Sequence, residues 1–337
     1  MRFMIAGLGS IGRRHLRNLV TLGEKDILLY RTHTSSLPND ELTGYPVENN
    51  LQAALAYNPD AVIVANPTSM HLDVAIPAAL AGCSLLLEKP VSDNLERISL
   101  LQAALSHSRS QVLVGFQFRF HPGLVKIKQL LRDGAIGKVV SARAHWGDYL
   151  PNWHPWEDYR QSYAAREDLG GGVVRTLCHP LDYLRWLLGD IAEVWAYTAN
   201  LSELELSVED TAEIGLRFSN GILGSVHLDY IQRPPAHYLE IIGTQGVVRW
   251  DNADGAVSVY QAGFGEDGPN TEAWQIFPAP EGFERNHMFL AQMQHFIAIA
   301  RGETRPLCTM EDGIQAMRLI IAVYESASSN RVVEVAA

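Results

Sequence analysis

The sequence carries two groups of ionisable side chains whose positions suggest chemistry. Glu88-Lys89-Pro90 follows an apolar run typical of a buried strand, and a lysine there is either a surface ammonium or a group that reaches into a ligand cleft. Arg175, His179 and Asp182 stand at i, i+4 and i+7, so a single helix would carry all three on one face. The histidine could act as an acid or base, and the arginine could hold a carboxylate or phosphate.

Each member of the second group also has a structural explanation. A histidine directly before a proline, as at 179–180, often serves only to start a helix, while Asp182 could orient its neighbours and Arg175 could turn into solvent. The sequence contains no HExxH, Walker, GxSxG or paired-cysteine pattern. We expect no metal, because no metal-ligand spacing links the other histidines, which include His33, His107 and His227.

A glycine-rich turn at the start of the chain predicts a dinucleotide site. Apolar residues 3–6 lead into Gly7-Leu8-Gly9-Ser10-Ile11-Gly12 and then into a helix predicted over 11–22. Gly7 allows a tight turn, Gly9 lets backbone N–H groups approach a pyrophosphate, and Gly12 lets the helix pack closely on the strand. The helix also directs its positive N-terminal end at the phosphates.

The end of the second predicted strand bears on the choice between NAD and NADP. An NAD-specific protein normally places an aspartate or glutamate there for the ribose hydroxyls, but residues 30–35, Tyr-Arg-Thr-His-Thr-Ser, contain no acid. Arg31 could pair with a 2′-phosphate, and Thr32, Thr34 and Ser35 could act as neutral donors. If Arg31 instead points to solvent, either cofactor could bind. The sequence therefore favours NADP over NAD.

Strands and helices alternate through the first third of the chain. The predicted elements are apolar strands over 26–30, 61–65, 84–88 and 111–116 and helices over 51–57, 70–81 and 94–107. Continuously apolar strands separated by helices predict a doubly wound parallel sheet that is covered on both faces. We assign residues 1–118 to this dinucleotide-binding domain.

The remainder of the chain, residues 119–337, alternates apolar and polar positions. Ile214, Leu216 and Phe218 share one face of a strand, and Asn220-Gly221 predicts a hairpin turn. We predict an α+β domain whose mostly antiparallel sheet has one face against helices. Further strands are predicted over 222–228, 237–242, 247–251 and 256–261, and helices over 122–132, 173–188, 285–301 and 311–326. Because an open sheet face commonly pairs with a second copy, we expect a homodimer or homotetramer.

Residues 146–168 form an aromatic-rich stretch with no hydrophobic period. The stretch contains three tryptophans and three tyrosines, and it predicts either a loop over a cleft or an aromatic plug between domains. Candidate substrate contacts in it are Trp153, His154 and Tyr163, and Arg119 is a further candidate.

Composition excludes several classes of function. The 337 residues, 47% of them hydrophobic, provide enough apolar material for two soluble domains. The formal net charge of −11 argues against a nucleic-acid or membrane partner, and no apolar run approaches the roughly 20 residues that span a bilayer. The chain begins with a predicted strand, so we expect no signal peptide. Three scattered cysteines do not make a disulfide framework, so the cytoplasm is the expected location.

Four motifs together carry a resemblance to a known family. They are GLGSIG at 7–12, NPTSMH at 66–71, EKP at 88–90 and GFQFRFHP at 115–122. In this order and spacing they resemble the oxidoreductases named after glucose-fructose oxidoreductase, inositol dehydrogenase and a rhizopine-catabolism protein. The resemblance extends over the whole chain, and it implies a Rossmann domain followed by an α+β substrate-binding and oligomerisation domain.

The resemblance also implies roles for individual residues. The histidine of the family's HxxD segment, here His179, works with the EKP lysine, here Lys89, at the reacting oxygen. The implied dinucleotide-binding residues are Gly7, Gly9, Ser10, Ile11, Gly12, Arg31, Thr32, Asn66, Pro67, Thr68, His71, Glu88, Lys89 and Gln117. The implied substrate contacts are Lys89, Arg119, Tyr163, Arg175, His179 and Asp182.

The implied activity is NAD(P)-dependent hydride transfer at a hydroxyl or keto carbon of a sugar or sugar-derived acid. Arg175 departs from the family, which commonly has an aspartate four residues before the histidine, and an arginine there would supply a forked donor for a carboxylate. Two other functions stay open: a regulatory protein that senses the dinucleotide, and a glycosidase that uses the nicotinamide only transiently. The presence of both Lys89 and His179 favours a dehydrogenase over a sensor.

Overall fold

The computed structural model describes residues 1–32, 37–108, 110–265, 268–270 and 274–335. The chain divides into two units. Unit one comprises Met1–Gln117, Gln161–Gly171 and Arg285–Met317, and unit two comprises Phe118–Arg160, Gly172–Glu284 and Arg318–Ala337. The first break in the chain lies beside the predicted boundary at 118, whereas two segments that the prediction assigned to the second domain, 161–171 and 285–317, belong to unit one.

Unit one is built on a parallel sheet. Its strands are β1 (Phe3–Ala6), β2 (Ile27–Tyr30), β3 (Val47–Glu48), β4 (Ala61–Val64), β5 (Ser84–Leu87) and β6 (Val112–Val114), and its first helices are α1 (Ser10–Thr21), α2 (Leu51–Ala56), α3 (His71–Leu80) and α4 (Ile98–Ser106). The strand order is β3-β2-β1-β4-β5-β6, so the winding direction reverses between β1 and β4, where doubly wound sheets bind ligands. Both of these strands are apolar and buried throughout, as expected for a sheet covered on both faces.

Unit two is built on a nine-stranded sheet. Its strands are β7 (Val139–Gly147), β8 (Ile191–Ala199), β9 (Thr211–Phe218), β10 (Leu223–Asp229), β11 (Ala236–Gly243), β12 (Gly246–Asp251), β13 (Val257–Gln261), β16 (Gln275–Phe277) and β17 (Val333–Glu334), while β14 (Gly263–Gly265) and β15 (Gly268–Asn270) pair separately. The strand order is β16-β13-β12-β11-β7-β10-β9-β8-β17. Neighbouring strands pair antiparallel, apart from β7 and β10, which run parallel. The predicted fold class, α/β with a second α+β domain, is confirmed.

The remaining helices are α5 (Pro122–Arg132), α6 (Val173–Thr176), α7 (His179–Leu188), α8 (Arg285–Ala300) and α9 (Met310–Ser329). A capping box precedes α9, because the Thr309 backbone nitrogen donates to Asp312 Oδ2 at 2.8 Å and the Asp312 nitrogen donates to Thr309 Oγ1 at 3.2 Å. Within the described ranges, none of these helices combines the length and the apolar character of a membrane span.

One face of the nine-stranded sheet is buried and the other is open. Ile214, Leu216 and Phe218 are at most 4% exposed, which confirms the predicted alternation along β9. Four strands of this sheet, β7, β8, β16 and β17, were not predicted. The burial of β7 and β8 alternates through tryptophan, histidine and alanine rather than through a run of aliphatic residues, and β16 and β17 are only three and two residues long. The turn at 220–221 joins β9 to β10 as predicted.

The single helix predicted over 173–188 is wrong. The structure has two helices there, with Leu177 and Cys178 between them, and Pro180 stands in the first turn of the second. A proline at that position of an uninterrupted helix would lack the backbone N–H that bonds to Thr176 and would clash with its carbonyl. The helix therefore restarts at His179, and Arg175 does not share a helix face with the residues of α7.

Candidate cofactor and substrate sites

The glycine turn between β1 and α1 is shaped by close backbone contacts. Gly7 has a φ of +92°, and a Cβ there would lie 2.5 Å from the backbone nitrogen of Asn66. A Cβ at Gly12 would lie 1.9 Å from the carbonyl oxygen of Gly7. At Gly9, by contrast, no described atom comes within 4 Å of the Cβ position. The turn is closed on its protein side and open beside Gly9, which fits the approach of a pyrophosphate.

Helix α1 directs its N-terminus at this turn. Gly9 is the N-cap, so no side chain caps the helix, and the first turn carries no acidic residue. The partial positive charge of the helix end therefore faces the open side of the turn. The buried Arg13 donates to the carbonyl of Leu8 at 3.0 Å and to the carbonyls of Leu37 and Pro38. Arg13 thus ties the glycine turn to the segment after β2.

Glu88 is fixed at the carboxyl end of β5 by His15. His15 Nε2 donates to Glu88 Oε1 at 2.7 Å, and both side chains are buried. Burial by itself raises the pKa of Glu88, but the His15 hydrogen bond and the charges of His15 and Lys89 outweigh it, so the pKa lies below its ordinary value. Gly115 makes room for the carboxylate, because a Cβ there would lie 2.8 Å from Glu88 Oε2. Glu88 is therefore an ionised, positioned group.

His71 fixes the chain on the other side of Lys89. Its Nδ1 lies 2.9 Å from the carbonyl oxygen of Pro90, and its Nε2 lies 3.0 Å from the carbonyl oxygen of Asn66. Burial lowers the pKa of His71, and the nearby charge of Glu88 opposes this shift only partly. His71 therefore connects the carboxyl ends of β4 and β5, and the half-buried Lys89 stands between two anchored residues.

The other predicted cofactor residues described by the structure also lie in unit one. Arg31 is at the end of β2, where its guanidinium donates to Asn39 Oδ1 at 2.9 Å on an exposed surface, and Thr32 is exposed. The predicted donors Thr34 and Ser35, and His33 between Thr32 and Thr34, lie outside the described residues. The rest begin α1, follow β4 or follow β6, and they are Ser10, Ile11, Asn66, Pro67, Thr68 and Gln117.

Tyr163 belongs to the segment of unit one that covers 161–171. This segment packs on the turn after β4, since a Cβ at Gly170 would lie 2.9 Å from Thr68 Cβ and Ser69 Oγ donates to the carbonyl of Asp168 at 3.1 Å. Tyr163 is 37% exposed. The structure therefore groups it with the predicted dinucleotide-binding residues Pro67 and Thr68.

In unit two, Arg119 and Asp182 form a buried pair. Arg119 Nε donates to Asp182 Oδ2 at 3.0 Å and Nη2 donates to Oδ1 at 2.7 Å, and each side chain is 2% exposed. Such a two-point contact holds the loop before α5 against the first turn of α7. Both residues had been predicted as substrate contacts, and their burial and mutual pairing favour a positioning role instead.

His179 begins α7 within an aromatic cluster. The rings of Phe118 and Trp146 lie 5.0 and 5.5 Å from the His179 ring, measured between centroids. His237 stacks on Trp146 at 4.3 Å with an interplanar angle of 4°, and its Nε2 lies 3.3 Å from the hydroxyl of Tyr183. His179 is 2% exposed. The cluster fixes the orientation of this imidazole and limits water around it.

Arg175 packs against Tyr324 in the same unit. Its guanidinium carbon lies 4.7 Å from the Tyr324 ring centroid. Tyr324 donates to Glu209 Oε1 at 2.7 Å, and the backbone nitrogen of Val174 donates to the same oxygen at 3.1 Å. Burial raises the pKa of Glu209, while these hydrogen bonds and the Arg175 charge act in the opposite direction. The Arg175 side chain therefore packs on Tyr324 and does not point away into solvent, which was one of the two alternatives from the sequence.

The other two candidates from the aromatic stretch, Trp153 and His154, make local ring contacts in unit two. Trp153 meets Tyr230 edge to face at 5.5 Å between centroids, and His154 lies 5.0 Å from Trp156. The sequence reasoning missed Arg13, His15 and His237. His15 had a weak signal, because it stands on the inward face of α1, but no sequence pattern connects His237 with His179.

A doubly wound sheet with an open glycine turn, together with an anchored lysine and a second domain, defines a dinucleotide-binding protein of two domains. Residues 1–116 match the NAD-binding Rossmann domain of the GFO_IDH_MocA oxidoreductase family, and residues 128–335 match its C-terminal alpha/beta domain. The chain belongs to this family, as the four motifs indicated, and is an NAD(P)-dependent oxidoreductase.

Individual relatives span different shares of the chain. Over 217 residues the chain is 31% identical to the uncharacterized oxidoreductase sll0816 of Synechocystis, covering 59% of this chain and 56% of that protein. It is 27% identical to myo-inositol 2-dehydrogenase of Thermotoga maritima, covering 99% of this chain and 98% of that enzyme. A solved levoglucosan dehydrogenase in complex with NADH has the same fold, with a TM-score of 0.86 and 20% identity. The match covers 100% of this chain and 99% of that chain.

Proposed function

We propose that this oxidoreductase transfers hydride between a nicotinamide cofactor and a hydroxyl- or keto-bearing carbon of a sugar or sugar-derived acid. The observation that carries the proposal is the double anchoring around Lys89, with Glu88 held by His15 and Pro90 held by His71. Such a lysine, at the carboxyl end of a strand in a dinucleotide-binding sheet, is well positioned to meet a substrate. The whole-chain similarity to an inositol dehydrogenase supports a polyhydroxylated substrate.

In this proposal Lys89 and His179 have different roles at the substrate oxygen. When bound, the nicotinamide supplies the hydride chemistry, while the protein orients the substrate and handles the proton. The Lys89 ammonium stabilises negative charge on the substrate oxygen. His179 accepts the hydroxyl proton in the oxidative direction and returns it in the reductive direction. The aromatic cluster supports this role, because it limits water around the imidazole.

A substrate screen tests the proposed reaction. The purified protein is incubated with NAD or NADP and a set of sugars, cyclitols and sugar acids, and reduced nicotinamide is followed at its absorbance. We expect sustained reduction with at least one of them. Product formation without any net nicotinamide change would identify a glycosidase, and tight dinucleotide binding without turnover of any substrate would identify a sensor.

We further propose that NADP binds more tightly than NAD through Arg31. Its present bond to Asn39 is exposed, so exchanging it for a 2′-phosphate costs little. A charged hydrogen bond contributes about 1.5–3 kcal/mol, so Arg31→Ala should weaken NADP binding by roughly tenfold or more and leave NAD binding unchanged. Titration by calorimetry measures both dissociation constants, with Arg17→Ala on the exposed face of α1 as the control. Tighter NAD binding in the unaltered protein would contradict this proposal.

Arg175 distinguishes charged from neutral substrates in our proposal. A guanidinium at this position favours a carboxylate-bearing sugar, so the acid should have a higher kcat/KM than its neutral counterpart. Arg175→Ala should remove most of that difference, roughly tenfold for one charged hydrogen bond. The competing role is structural, because the same guanidinium lies on Tyr324 and near Glu209. An equal loss of kcat/KM for acid and neutral substrates would establish that structural role.

We also propose that the open sheet face of unit two binds a second copy of the chain. Large apolar side chains are exposed on this face, namely Trp195, Tyr197, Leu223, Tyr238 and Ile276. Burying them against a copy stabilises a dimer or tetramer. Light scattering at micromolar concentration should show an oligomer, and Tyr197→Glu should dissociate it while Leu80→Glu in unit one does not. A monomeric unaltered protein would contradict the proposal.

A further inference from the structure

The open face of the nine-stranded sheet carries a row of ionisable side chains that the dehydrogenase reaction does not use. His145 on β7 and His227 on β10 are direct partners in the parallel register of these strands. Their rings stack at 4.5 Å between centroids with an interplanar angle of 16°. Asp229 follows His227 by two residues, and side chains two apart in a strand point to the same face.

We propose that His145, His227 and Asp229 form a binding site for Zn²⁺ or a similar divalent transition metal. One potential ligand atom from each residue lies within 4.8 Å of the other two. His227 Nε2 and Asp229 Oδ2 are already 3.0 Å apart. Tetrahedral zinc with bonds of about 2.0–2.1 Å separates its ligand atoms by about 3.3 Å, so side-chain rotation would bring the three groups to one ion. Two imidazoles and one carboxylate are a donor set that suits zinc.

Neighbouring groups hydrogen-bond to two of the three proposed ligands, His227 and Asp229. Glu213 Oε1 lies 2.6 Å from His227 Nδ1, so it can hold the Nδ1 proton and leave Nε2 for the metal. Asp229 Oδ1 accepts backbone hydrogen bonds from Ile231 at 2.8 Å and from Gln232 at 2.6 Å, which fixes the carboxylate and leaves Oδ2 toward the histidines. Two carboxylates beside two imidazoles also balance the charge of a divalent cation.

Gly147 leaves space at the proposed metal site. A Cβ at Gly147 would lie 2.3 Å from Asp229 Oδ2 and 2.2 Å from Gln232 Oε1, so the glycine on β7 leaves room for both groups. Gln232 Oε1 lies 2.5 Å from His145 Nε2. In a single chain the His227 side chain is 26% exposed and that of Asp229 is 4% exposed, and the site lies on the sheet face that we propose binds a second copy. A bound metal would cross-link β7 and β10.

Metal titration of the whole, metal-stripped protein tests the proposal. Zinc is added in equilibrium dialysis and counted by mass spectrometry, and Co²⁺ is added separately to record its visible ligand-field absorption. We expect one zinc per chain, a tetrahedral Co²⁺ spectrum and a rise in Tm with zinc. The absence of stoichiometric zinc binding, or half a zinc per chain, would overturn a site formed by these three residues of one chain.

Variants connect the binding to the named residues. His145→Gln and His227→Gln should each abolish stoichiometric binding and the zinc-dependent rise in Tm. Glu213→Gln, which leaves all three ligands in place, should weaken zinc binding by about 10–100-fold. The His107→Gln variant, in which an exposed histidine directly after α4 is replaced, should bind zinc as the unaltered protein does. Near-ultraviolet circular dichroism verifies that each variant is folded, and retained binding in the folded His145 and His227 variants would overturn the proposal.

Discussion

Lys89→Ala should lower kcat by about 100- to 1000-fold, because it removes a preorganised cation from the substrate oxygen. The fold and most of the dinucleotide affinity should be unchanged, since Glu88 and Pro90 keep their own anchors in His15 and His71. Steady-state kinetics on the substrate found by screening gives kcat, and calorimetry gives the dinucleotide dissociation constant.

Two further variants make the Lys89 result specific. Lys25→Ala, an exposed lysine of unit one, should leave kcat unchanged. His179→Ala should also lower kcat, by a smaller factor than Lys89→Ala, because water can replace a proton carrier but not a fixed cation. A Lys89→Ala enzyme that keeps nearly normal kcat on the physiological substrate would show that this lysine has no catalytic role.

Asp182→Ala should lower the free energy of unfolding by about 3–5 kcal/mol, because it leaves the Arg119 guanidinium buried without its carboxylate. Both side chains are 2% exposed, so solvent does not screen the loss. Urea unfolding followed by tryptophan fluorescence measures the change. The double variant Arg119→Met/Asp182→Leu should recover most of the stability, since it removes both charges and fills the same volume with apolar atoms.

An exposed pair provides the comparison for this prediction. Arg249 and Glu240 lie 2.7 Å apart on neighbouring strands, with the arginine side chain 57% exposed, and Glu240→Ala should cost no more than about 1 kcal/mol. If Asp182→Ala instead kept its stability and lost only substrate affinity, Asp182 would be the substrate contact that the sequence analysis predicted. The two measurements therefore separate a positioning residue from a ligand.

Much of the Rossmann half was predictable from the sequence. Most of its strands are short apolar runs, and its glycine turn is a short motif directly after β1. Gly7 and Gly12 are required by backbone contacts, and Gly9 borders open space. The family motifs and the alternation along β9 were also sufficient, because each depends on residues near one another in the chain.

Pairings between distant residues were not predictable. The sequence treated Arg119 and Asp182 as separate substrate contacts, although they lie 63 residues apart and bond to each other. The sequence analysis placed Arg175 on one helix with His179, because it continued the helical period past Pro180. A proline at that position prevents a continuous helix. His15 and Glu88 similarly lie 73 residues apart, and their contact forms only in the folded chain.

The sequence by itself determined the class of fold, the dinucleotide turn and the family, since these depend on short motifs and on hydrophobic period. Only the tertiary structure decided which charges are paired and which histidines meet. His145 and His227 are 82 residues apart and show no metal-ligand spacing, yet the parallel pairing of β7 with β10 makes them direct neighbours. Side-chain chemistry depends on distances in space, and strand register, which is set by the packing of the whole sheet, fixes those distances.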